Sequence, residues 1–364
     1  MVGPVSKAGG VAIHTSEIVN EIKKSGHTVL FFNTMSRLGW RPGKSDPLTI
    51  IDNIYKGFKN TIFLLLYGFL MRSKYDVLHV QASGPLGGFI PAIMGARLKK
   101  ITGRPLVITF HHSKTENFIL KNKERFRKVL EKTDSFIVVS RRQKEFIIQQ
   151  FGEELGKKVV HIPNGYNPGR FTRMDKGSAR KELGINHSKT VLVNVAWLME
   201  KKGQTYLIRA MKEVLSRDPN IICFIIGKGP LESELNEEIK TLGISDNVKL
   251  TGYLSHDEMV LYMNSADFFV LPSLDEGNPI VMFEALSLGL PYIGTDVGGI
   301  PEIIMDDRYG YLTGPEDVHG LAALIEKGKD KKWDREAIVE YGKNFQWSII
   351  AKRTLNCYPI KRGN

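Results

Sequence analysis

Residues 267–294 read DFFVLPSLDEGNPIVMFEALSLGLPYIG. This stretch contains an apolar run at Phe268–Leu271, a polar loop, a helical pattern at Pro279–Leu288 and a second apolar run at Tyr292–Gly294. Short runs of Val, Ile, Leu and Phe without alternation are typical of strands that helices cover on both faces. The order strand, helix, strand therefore predicts two parallel strands joined by a right-handed crossover.

Similar apolar runs alternate with amphipathic stretches along nearly the whole chain. This alternation predicts an α/β protein with two Rossmann-like, doubly wound domains, each built on a parallel sheet. Ligands of such domains bind beyond the carboxyl ends of the strands. The other predicted strands are His27–Phe32, Asp76–Val80, Leu106–Phe110, Ser135–Val139, Val159–Ile162, Thr190–Ala196, Ile221–Ile226 and Val248–Thr251, and the other predicted helices are Val11–Lys24, Glu124–Lys132, Thr205–Leu215 and Leu231–Leu242.

Charge divides the chain into two unlike halves. Residues 1–174 hold 28 Lys and Arg against 12 Asp and Glu, whereas residues 175–364 hold 23 against 27. The sign changes across residues 163–175, PNGYNPGRFTRMD, whose Pro, Gly and Asn content is typical of a domain boundary. The basic half favours an anionic partner or an acidic lipid surface. We expect no nucleic-acid partner, because this half lacks interleaved stacking aromatics and a recognisable nucleic-acid module.

The cysteines and the apolar runs indicate the cellular compartment in which the protein is expected. Cys223 and Cys357 are too few for a disulfide framework and fit a reducing cytoplasm. The opening residues, MVGPVSKAGG, lack the basic and apolar regions of a secretory signal. The longest apolar run, Ile62–Met71, is about half as long as a bilayer span and therefore predicts a buried helix.

The start of the chain departs from the expected pattern. Only Met1 and Val2 precede the first glycine, so the first strand is predicted to be missing or reduced to a stub. Two explanations stay open: a start codon assigned too late, or a sheet that tolerates a truncated strand.

Two glutamates around a predicted helix N-terminus form the strongest candidate site. Glu276 lies in the loop before the helix, and Glu284 lies a turn and a half into it. Pro279 suits the first helical position with Asn278 as the cap, and the N–H groups of such a terminus bind phosphate. Because one carboxylate accepts two hydroxyl hydrogen bonds, the pair is predicted to hold a sugar and a ribose around a diphosphate. Glycoside hydrolysis is disfavoured, since both carboxylates would lie on the same side of a ligand.

Further candidates lie where predicted strands end. Glycine loops at 9–10, 227–230 and 298–302 suit close approach of a ligand, although glycines also serve ordinary turns. The pair Lys201-Lys202 can meet a phosphate as a point charge. The pair His111-His112 ends a strand and offers a base or an oxyanion partner, with structural packing as the alternative. A metal site there is disfavoured, because no third ligand follows at a suitable spacing.

The order and spacing of these motifs resemble those of the retaining glycosyltransferases of family 4, which have the GT-B fold. The resemblance covers nearly the whole chain. The matching motifs are GG at 9–10, GH at 26–27, TFH at 109–111, IPNG at 162–165, KG at 202–203, GKGP at 227–230, GYL at 252–254, AD at 266–267, PSLDEGNP at 272–279, GLP at 289–291 and GGIPE at 298–302.

The resemblance implies an enzyme that moves a sugar from a UDP- or GDP-linked donor to a hydroxyl of a glycan or lipid-linked acceptor, with retention of configuration. It implies an acceptor-binding domain at 1–168, a donor-binding domain at 169–345 and a C-terminal segment at 346–364 whose helix crosses back to the first domain. It also implies no metal and no cofactor beyond the nucleotide-sugar co-substrate, because lysine and helix-end N–H groups would stabilise the departing diphosphate.

The resemblance also implies roles for individual residues. The implied catalytic residues are His111 near the reacting sugar, Glu276 near the donor sugar hydroxyls and Lys202 on the diphosphate. Glu284 would bind the donor ribose. The remaining implied donor-binding residues are Gly9, Gly10, Gly227, Gly229, Gly277, Asn278, Pro279 and Ile280.

One residue departs from the family pattern. Many members carry an arginine five residues before the diphosphate lysine, where this chain has Trp197, and an indole ring makes no bidentate phosphate contact. A catalytically weak or inactive nucleotide-sugar-binding protein and a related GT-B nucleotide-sugar epimerase therefore stay open as alternatives. We expect a cytoplasmic protein, peripheral on an anionic membrane surface through basic clusters at 97–100, 121–132 and 141–142.

Overall fold

The computed structural model of the chain describes residues 1–4, 9–35, 55, 57–84 and 86–359. They form two compact units, one of Met1–Asn164 with Trp347–Asn364 and one of Gly165–Gln346. The sequence placed the boundaries at 168/169 and 345/346. Each unit contains a six-stranded sheet in which every strand pair is parallel, as the runs of apolar residues predicted.

The first unit begins with a two-residue strand, which confirms the predicted stub. The strand order in its sheet is β2-β1-β3-β4-β5-β6. Its elements are β1 Val2–Gly3, α1 Gly10–Lys24, β2 Phe32–Asn33, a π-helical turn Lys59–Phe63, α2 Leu64–Leu70, β3 Leu78–Ala82, α3 Leu86–Thr102, β4 Leu106–Phe110, α4 Thr115–Lys121, α5 Lys123–Lys132, β5 Ser135–Val138, α6 Arg141–Phe151, α7 Glu153–Gly156 and β6 Val159–His161.

The two faces of this sheet differ in polarity. One face of β3 and β4 carries apolar side chains, including Val80 and Ile108, that belong to the buried core. Because successive strand residues point to opposite faces, His79, Gln81 and Thr109 lie together on the other face. These three side chains are buried as well, so they need hydrogen-bond partners within the protein.

The second unit has the strand order β12-β11-β10-β7-β8-β9. Separate apolar clusters cover the two faces of its sheet, for example Val193 and Leu271 on one and Leu192 and Val270 on the other. Its elements are α8 Lys176–Glu182, β7 Thr190–Val195, α9 Gln204–Arg217, β8 Ile221–Ile226, α10 Glu232–Thr241, β9 Val248–Gly252, α11 His256–Ser265, β10 Phe268–Leu271, α12 Ile280–Ser287, β11 Tyr292–Thr295, β12 Gly310–Thr313, α13 Val318–Asp330 and α14 Arg335–Gly342.

The last helix, α15 (Trp347–Asn356), belongs to the first unit. The indole of Trp347 is buried, and its ring meets the His14 ring edge-on at 5.1 Å between centroids. Beyond the helix, the Ser135 hydroxyl donates to the Cys357 carbonyl at 2.8 Å. These contacts attach the end of the chain to the sheet of the first unit.

Three details differ from the sequence expectations. The run Ile62–Met71 is helical but mostly not buried, because only Leu64 and Gly68 of it are buried while most of its large apolar side chains are exposed. Pro279 is the N-cap residue with extended backbone, and helix α12 starts one residue later, so Asn278 is not its cap. The predicted strand His27–Phe32 shortens to Phe32–Asn33, paired with the short β1.

Candidate functional site

The strand order of the second unit creates a crevice between β7 and β10. From β7 the chain proceeds outward to β8 and β9, whereas from β10 it proceeds in the opposite direction to β11 and β12. The connections that leave the two central strands therefore diverge, and ligands of open α/β sheets bind at such a switch point. The loops that follow β8, β7, β10 and β11 lie side by side at this edge, and they contain most of the predicted site residues.

Lys202 and Glu276 meet at this switch point. The Lys202 ammonium donates to Glu276 Oε1 at 2.5 Å, and the Ser273 hydroxyl donates to the same oxygen at 2.8 Å. Glu276 is buried, and the Lys202 side chain is 18% exposed. A lysine ammonium has three donors, so Lys202 retains donors for a second anion beside the carboxylate.

Glycines bring the surrounding loops into backbone contact. Gly298 has φ +59°, and a Cβ atom there would overlap the carbonyl oxygen of Glu276. Its neighbour Gly299 donates its N–H to the Gly277 carbonyl at 2.8 Å. Gly203, with φ +68°, lies in the same way against the carbonyl of Pro272. Only glycine allows these approaches, so the loops after β7 and β11 both hold the loop that carries Glu276.

The loop after β8 packs closely too. Cβ atoms at Gly227 and Gly229 would overlap the carbonyl oxygens of Ala196 and Leu198, which lie in the loop after β7. In addition, Leu198 donates its N–H to the Lys228 carbonyl at 3.0 Å. These glycines therefore allow the loops after β7 and β8 to pack closely.

Helix α12 begins at this edge of the sheet. Its first N–H groups lack intrahelical acceptors and carry the positive end of the helix dipole, a combination that suits an anion. Asn278 and Ile280 are buried beside it, and Glu284 is half-buried in its second turn. Burial is the main cause of the raised pKa of Tyr292, and the negative charge of Glu276 raises it further. The Tyr292 hydroxyl donates to the Leu271 carbonyl at 3.1 Å.

The first unit has its own switch point, between β1 and β3, and His111 follows the neighbouring strand β4. The ring of His14, which lies one turn inside helix α1, packs against the His111 ring at 4.4 Å between centroids. His14 is buried, and its Nδ1 forms a 2.9 Å hydrogen bond with Asn164 Oδ1. The loop Gly9-Gly10 starts the same helix, so it lies about one turn from His14.

A hydrogen-bonded chain extends from His111 into the polar face of the sheet. His111 Nε2 lies 2.8 Å from Gln81 Oε1, and Gln81 Nε2 lies 3.3 Å from His79 Nε2. His79 Nε2 also lies 2.8 Å from Thr109 Oγ1, and its Nδ1 lies 2.8 Å from the Tyr358 hydroxyl. An amide oxygen only accepts, so we assign the His111 proton to Nε2, which leaves its Nδ1 with a lone pair.

Burial keeps these imidazoles neutral. It lowers the pKa of His14 to about 4. Burial lowers the pKa of His111 well below its usual range, and the neighbouring His14 and His79 lower it further. The pKa of His79 is also lowered well below its usual range, again chiefly by burial. At neutral pH His111 therefore offers a hydrogen-bond acceptor rather than a positive charge.

The predicted site residues thus form two groups. Gly9, Gly10 and His111 belong to the first unit, and all others belong to the second. Sequence reasoning did not anticipate that Lys202 pairs with Glu276, nor that His14, His79, Gln81 and Tyr358 join His111. A pattern of alternating polar residues in HVQA at 79–82 is the one signal that pointed to a polar sheet face.

Comparison with known proteins identifies relatives of the whole chain. The chain is 27% identical to an uncharacterized glycosyltransferase of Methanocaldococcus jannaschii, over 98% of this chain and 96% of that protein. It is 28% identical to the GDP-mannose-dependent monoacylated alpha-(1-6)-phosphatidylinositol monomannoside mannosyltransferase of Corynebacterium glutamicum, over 77% and 75% of the two chains. It is 27% identical to the UDP-Gal:alpha-D-GlcNAc-diphosphoundecaprenol alpha-1,3-galactosyltransferase of Escherichia coli, over 77% and 72%.

Solved structures show the same fold at low sequence identity. Sucrose-phosphate synthase from Thermosynechococcus elongatus superposes with a TM-score of 0.75 at 19% identity, over 98% of each chain. The Anabaena protein HepE in complex with UDP superposes with a TM-score of 0.74 at 18% identity, over 98% of this chain and 97% of that one.

Family models account for nearly all of the chain. Residues 8–170 match the model of Glycosyltransferase Family 4, and residues 175–345 match the model of Glycosyl transferases group 1. The two matches fall on the two units of the structure, in the order that the GT-B fold requires. The chain therefore belongs to the family 4 glycosyltransferases with the GT-B fold, and it is a glycosyltransferase.

Proposed function

We propose that this glycosyltransferase takes its sugar from a UDP- or GDP-linked donor and transfers it, with retention of configuration, to a hydroxyl of a lipid-linked or glycan acceptor. The observation that carries the proposal is the meeting of Lys202 and Glu276 beside the start of helix α12 at the switch point. A cation, a helix N-terminus and a buried carboxylate suit the diphosphate and the hydroxyls of a nucleotide sugar.

The names of the relatives support both halves of the proposal. One relative is named as dependent on GDP-mannose and another as using UDP-Gal, and a structural neighbour binds UDP. The acceptors in the two relatives' names are a phosphatidylinositol mannoside and a diphosphoundecaprenol-linked sugar, which are both lipids. A lipid-linked acceptor also suits the basic first half of this chain.

In the proposed complex the Lys202 ammonium neutralises the diphosphate while it keeps its hydrogen bond to Glu276. Charge that develops on the leaving group is then met by Lys202 and by the N–H groups of Gly277, Asn278 and Ile280, so the reaction needs no metal ion. Glu276 accepts hydrogen bonds from sugar hydroxyls, and Glu284 accepts them from the ribose. Gly227 and Gly229 let the donor approach the backbone.

In the first unit, we assign donor contacts to the backbone of Gly9 and Gly10, and neutral His111 accepts a hydrogen bond from a sugar hydroxyl. The chain through Gln81 and His79 fixes which ring nitrogen carries the proton. The tautomer of His111 is therefore fixed before the donor binds, so the ring need not reorient or exchange its proton in the transition state.

A donor screen tests the first half of the proposal. Thermal unfolding of the full chain is followed with UDP- and GDP-sugars in EDTA, and a matching donor at one hundred times its Kd should stabilise the protein by about 2.7 kcal/mol. Transfer of labelled sugar from that donor to membrane lipid extracts should then proceed in the same buffer. Absence of any donor-dependent shift, with calorimetry showing no binding, overturns the proposal.

Two glutamate variants separate binding from turnover. Glu284→Ala should weaken donor binding by about 10- to 100-fold, because it removes charge-assisted hydrogen bonds to the ribose. Glu276→Ala should instead lower kcat by about 100-fold or more, because its interactions strengthen as charge develops. Glu326→Ala, which removes an exposed ion pair with Arg217, is the control and should change neither value.

The same assays discriminate the alternatives. Conversion of the donor sugar without any acceptor identifies an epimerase. Tight donor binding with neither transfer nor hydrolysis contradicts the proposed activity. It would agree with Trp197 standing where many family members carry an arginine. Dependence of transfer on a divalent cation contradicts the metal-free part of the proposal.

A further inference from the structure

A continuous apolar face is exposed on the first unit. Large side chains of the helical segment 57–71 lie in solvent, including Leu66 at 53% and Leu70 at 71% exposure. The other exposed large apolar residues of this segment are Phe58, Ile62, Phe63, Tyr67 and Phe69. Exposed apolar patches of this extent mark interaction sites in soluble domains.

Helical spacing explains why these side chains share one surface. The buried positions Asn60, Leu64 and Gly68 are four residues apart and form the row that faces the protein. Gly68 permits close packing there, because a Cβ atom would come within 2.6 Å of Leu98 Cδ1 on helix α3. The exposed residues occupy the remaining rows of the same helical turns, so they form a single face directed away from the sheet.

Basic residues outnumber acidic ones around this face, where Asp76 lies 3.8 Å from Arg104 and Asp134 lies 2.6 Å from Lys99. The segment 57–75 contains Lys59, Arg72 and Lys74 and no Asp or Glu, and the segment 86–105 contains four further Arg and Lys and again no acid. The Arg72 guanidinium lies 4.1 Å from the centroid of the exposed Phe69 ring, at the border of the apolar face. On α3, Ile101 is 56% exposed within one turn of Leu98.

We infer that this face docks the enzyme on an anionic lipid bilayer. The face consists of the exposed residues within 58–70, on α2 and the turn that precedes it, together with Arg72 and Lys74. Aromatic and aliphatic side chains enter the interface while the flanking cations meet lipid headgroups, the arrangement of an interfacial helix. The inference rests on the proposed lipid-linked acceptor, which a membrane-docked first unit would meet at the bilayer surface.

Length and charge decide between the possible occupants. The helical segment from Lys59 to Leu70 has twelve residues, about 18 Å, so it lies in the interface and does not span it. None of the helices in the described residues combines the length and the apolar composition that a bilayer span requires. A second copy of this chain would bring two identical cationic rims together, because a two-fold interface joins like to like, whereas an acidic bilayer complements that rim.

Co-sedimentation of the full chain with vesicles tests the docking surface. The vesicles contain phosphatidylcholine alone or phosphatidylcholine with one part in three of phosphatidylglycerol. The wild-type chain should bind the acidic vesicles, and the double variant Leu66→Ser with Leu70→Ser should bind them about 10-fold or more weakly. Lys74→Gln, which removes one exposed cation, should weaken binding about five-fold and reduce its salt dependence.

Matched variants keep the result interpretable. Met305→Ser removes an apolar side chain of similar exposure, 62%, from the second unit and should leave vesicle binding unchanged. Far-ultraviolet circular dichroism verifies that the variants are folded. Wild-type binding that is absent, insensitive to phosphatidylglycerol or unchanged in the double variant overturns the inference. Light scattering that shows a dimer lost in the double variant, with vesicle binding unaltered, assigns the face to a second copy instead.

Donor binding is measured on the same samples by calorimetry. The double variant should retain the wild-type affinity for the nucleotide sugar, since its substitutions lie outside the residues assigned to the donor. Loss of vesicle binding with donor binding intact supports the docking surface alone. Failure of the wild-type chain to bind any donor, with vesicle binding as expected, contradicts the proposed function and leaves the surface standing.

Discussion

His14 illustrates how single residues of the first unit are tuned by burial. The ring contacts the His111 ring and the Trp347 indole, and its Nδ1 is hydrogen-bonded to the Asn164 amide oxygen. Burial lowers its pKa to about 4, and the pKa values of His79 and His111 shift in the same direction. The native protein therefore resists protonation at positions that titrate freely in the unfolded chain.

This difference predicts that acid destabilises the protein. Between the unfolded pKa of about 6.5 and the folded pKa of about 4, the unfolded chain binds a proton at His14 that the folded chain excludes. The free energy of unfolding should therefore fall as pH falls through this window, by about 1.4 kcal/mol per pH unit from His14 alone. Urea unfolding between about pH 7 and pH 5 measures the slope.

The variant His14→Gln supplies the control for this slope, because an amide keeps a hydrogen bond to Asn164 but does not titrate. Its slope should be smaller than that of the wild-type chain by about 1 kcal/mol per pH unit. Equal slopes for the two proteins would show that His14 is not a source of the acid sensitivity.

Among the elements of the second unit, the loops after β7, β10 and β11 contact one another around Glu276. The loop after β11 reaches the loop after β10 through Gly298 and Gly299, and the Lys202–Glu276 pair joins the loop after β7 to the same place. Three loops from adjacent strands therefore share one set of contacts. The position of Glu276 is therefore defined by neighbouring loops as well as by its own, in which Ser273 donates to its carboxylate.

Gly298→Ala should disturb the contacts between the loop after β11 and the loop that carries Glu276. Alanine is strained at φ +59°, and its Cβ would overlap the Glu276 carbonyl oxygen, so the loop with Glu276 must move. We expect donor binding at least about 10-fold weaker and a loss of stability of about 1–3 kcal/mol. Calorimetry with the donor found in the screen and urea unfolding measure the two effects.

Gly314→Ala is the matched control, because a Cβ atom there has no atom within 4 Å. It should change stability by less than about 0.5 kcal/mol and leave donor binding unaltered. If Gly298→Ala behaved like this control, the close contact between the two loops would not matter for the site.

On the scale of the whole molecule, the chain leaves the first unit after Asn164 and returns to it at Trp347. The returning segment takes part in the polar network of the sheet, since the Tyr358 hydroxyl is hydrogen-bonded to His79 Nδ1. The folded first unit therefore includes residues from both ends of the chain. Its stability depends on helix α15 as well as on its own strands.

Trp347→Ala tests this dependence. The buried indole packs against His14, so its removal leaves a cavity and should cost about 3–5 kcal/mol. Hydrogen exchange of amides in β3 and β4 should accelerate accordingly. Ile349→Ala, on the same helix at 39% exposure, should cost less than about 1 kcal/mol, and an equal effect of both variants would contradict the role of the buried indole.

Local sequence patterns predicted the parallel sheets, the loops and most of the helices, because hydrophobic periodicity and the positions of glycine and proline are local properties. The motifs around Glu276 and Glu284 were visible for the same reason. The prediction that the run Ile62–Met71 is buried was wrong, because burial depends on neighbouring elements. The run forms a helix as expected, but no neighbour among the described residues covers its apolar face.

Contacts between residues distant in sequence could not be predicted from local patterns. Lys202 pairs with Glu276 from 74 residues away, and His79 with Tyr358 from 279 residues away. Such meetings follow from the order of strands in the sheet, and that order depends on how whole layers pack rather than on any short stretch of sequence. The neutral state of His111 is decided in the same way, because burial, unlike residue type, is a property of the folded molecule.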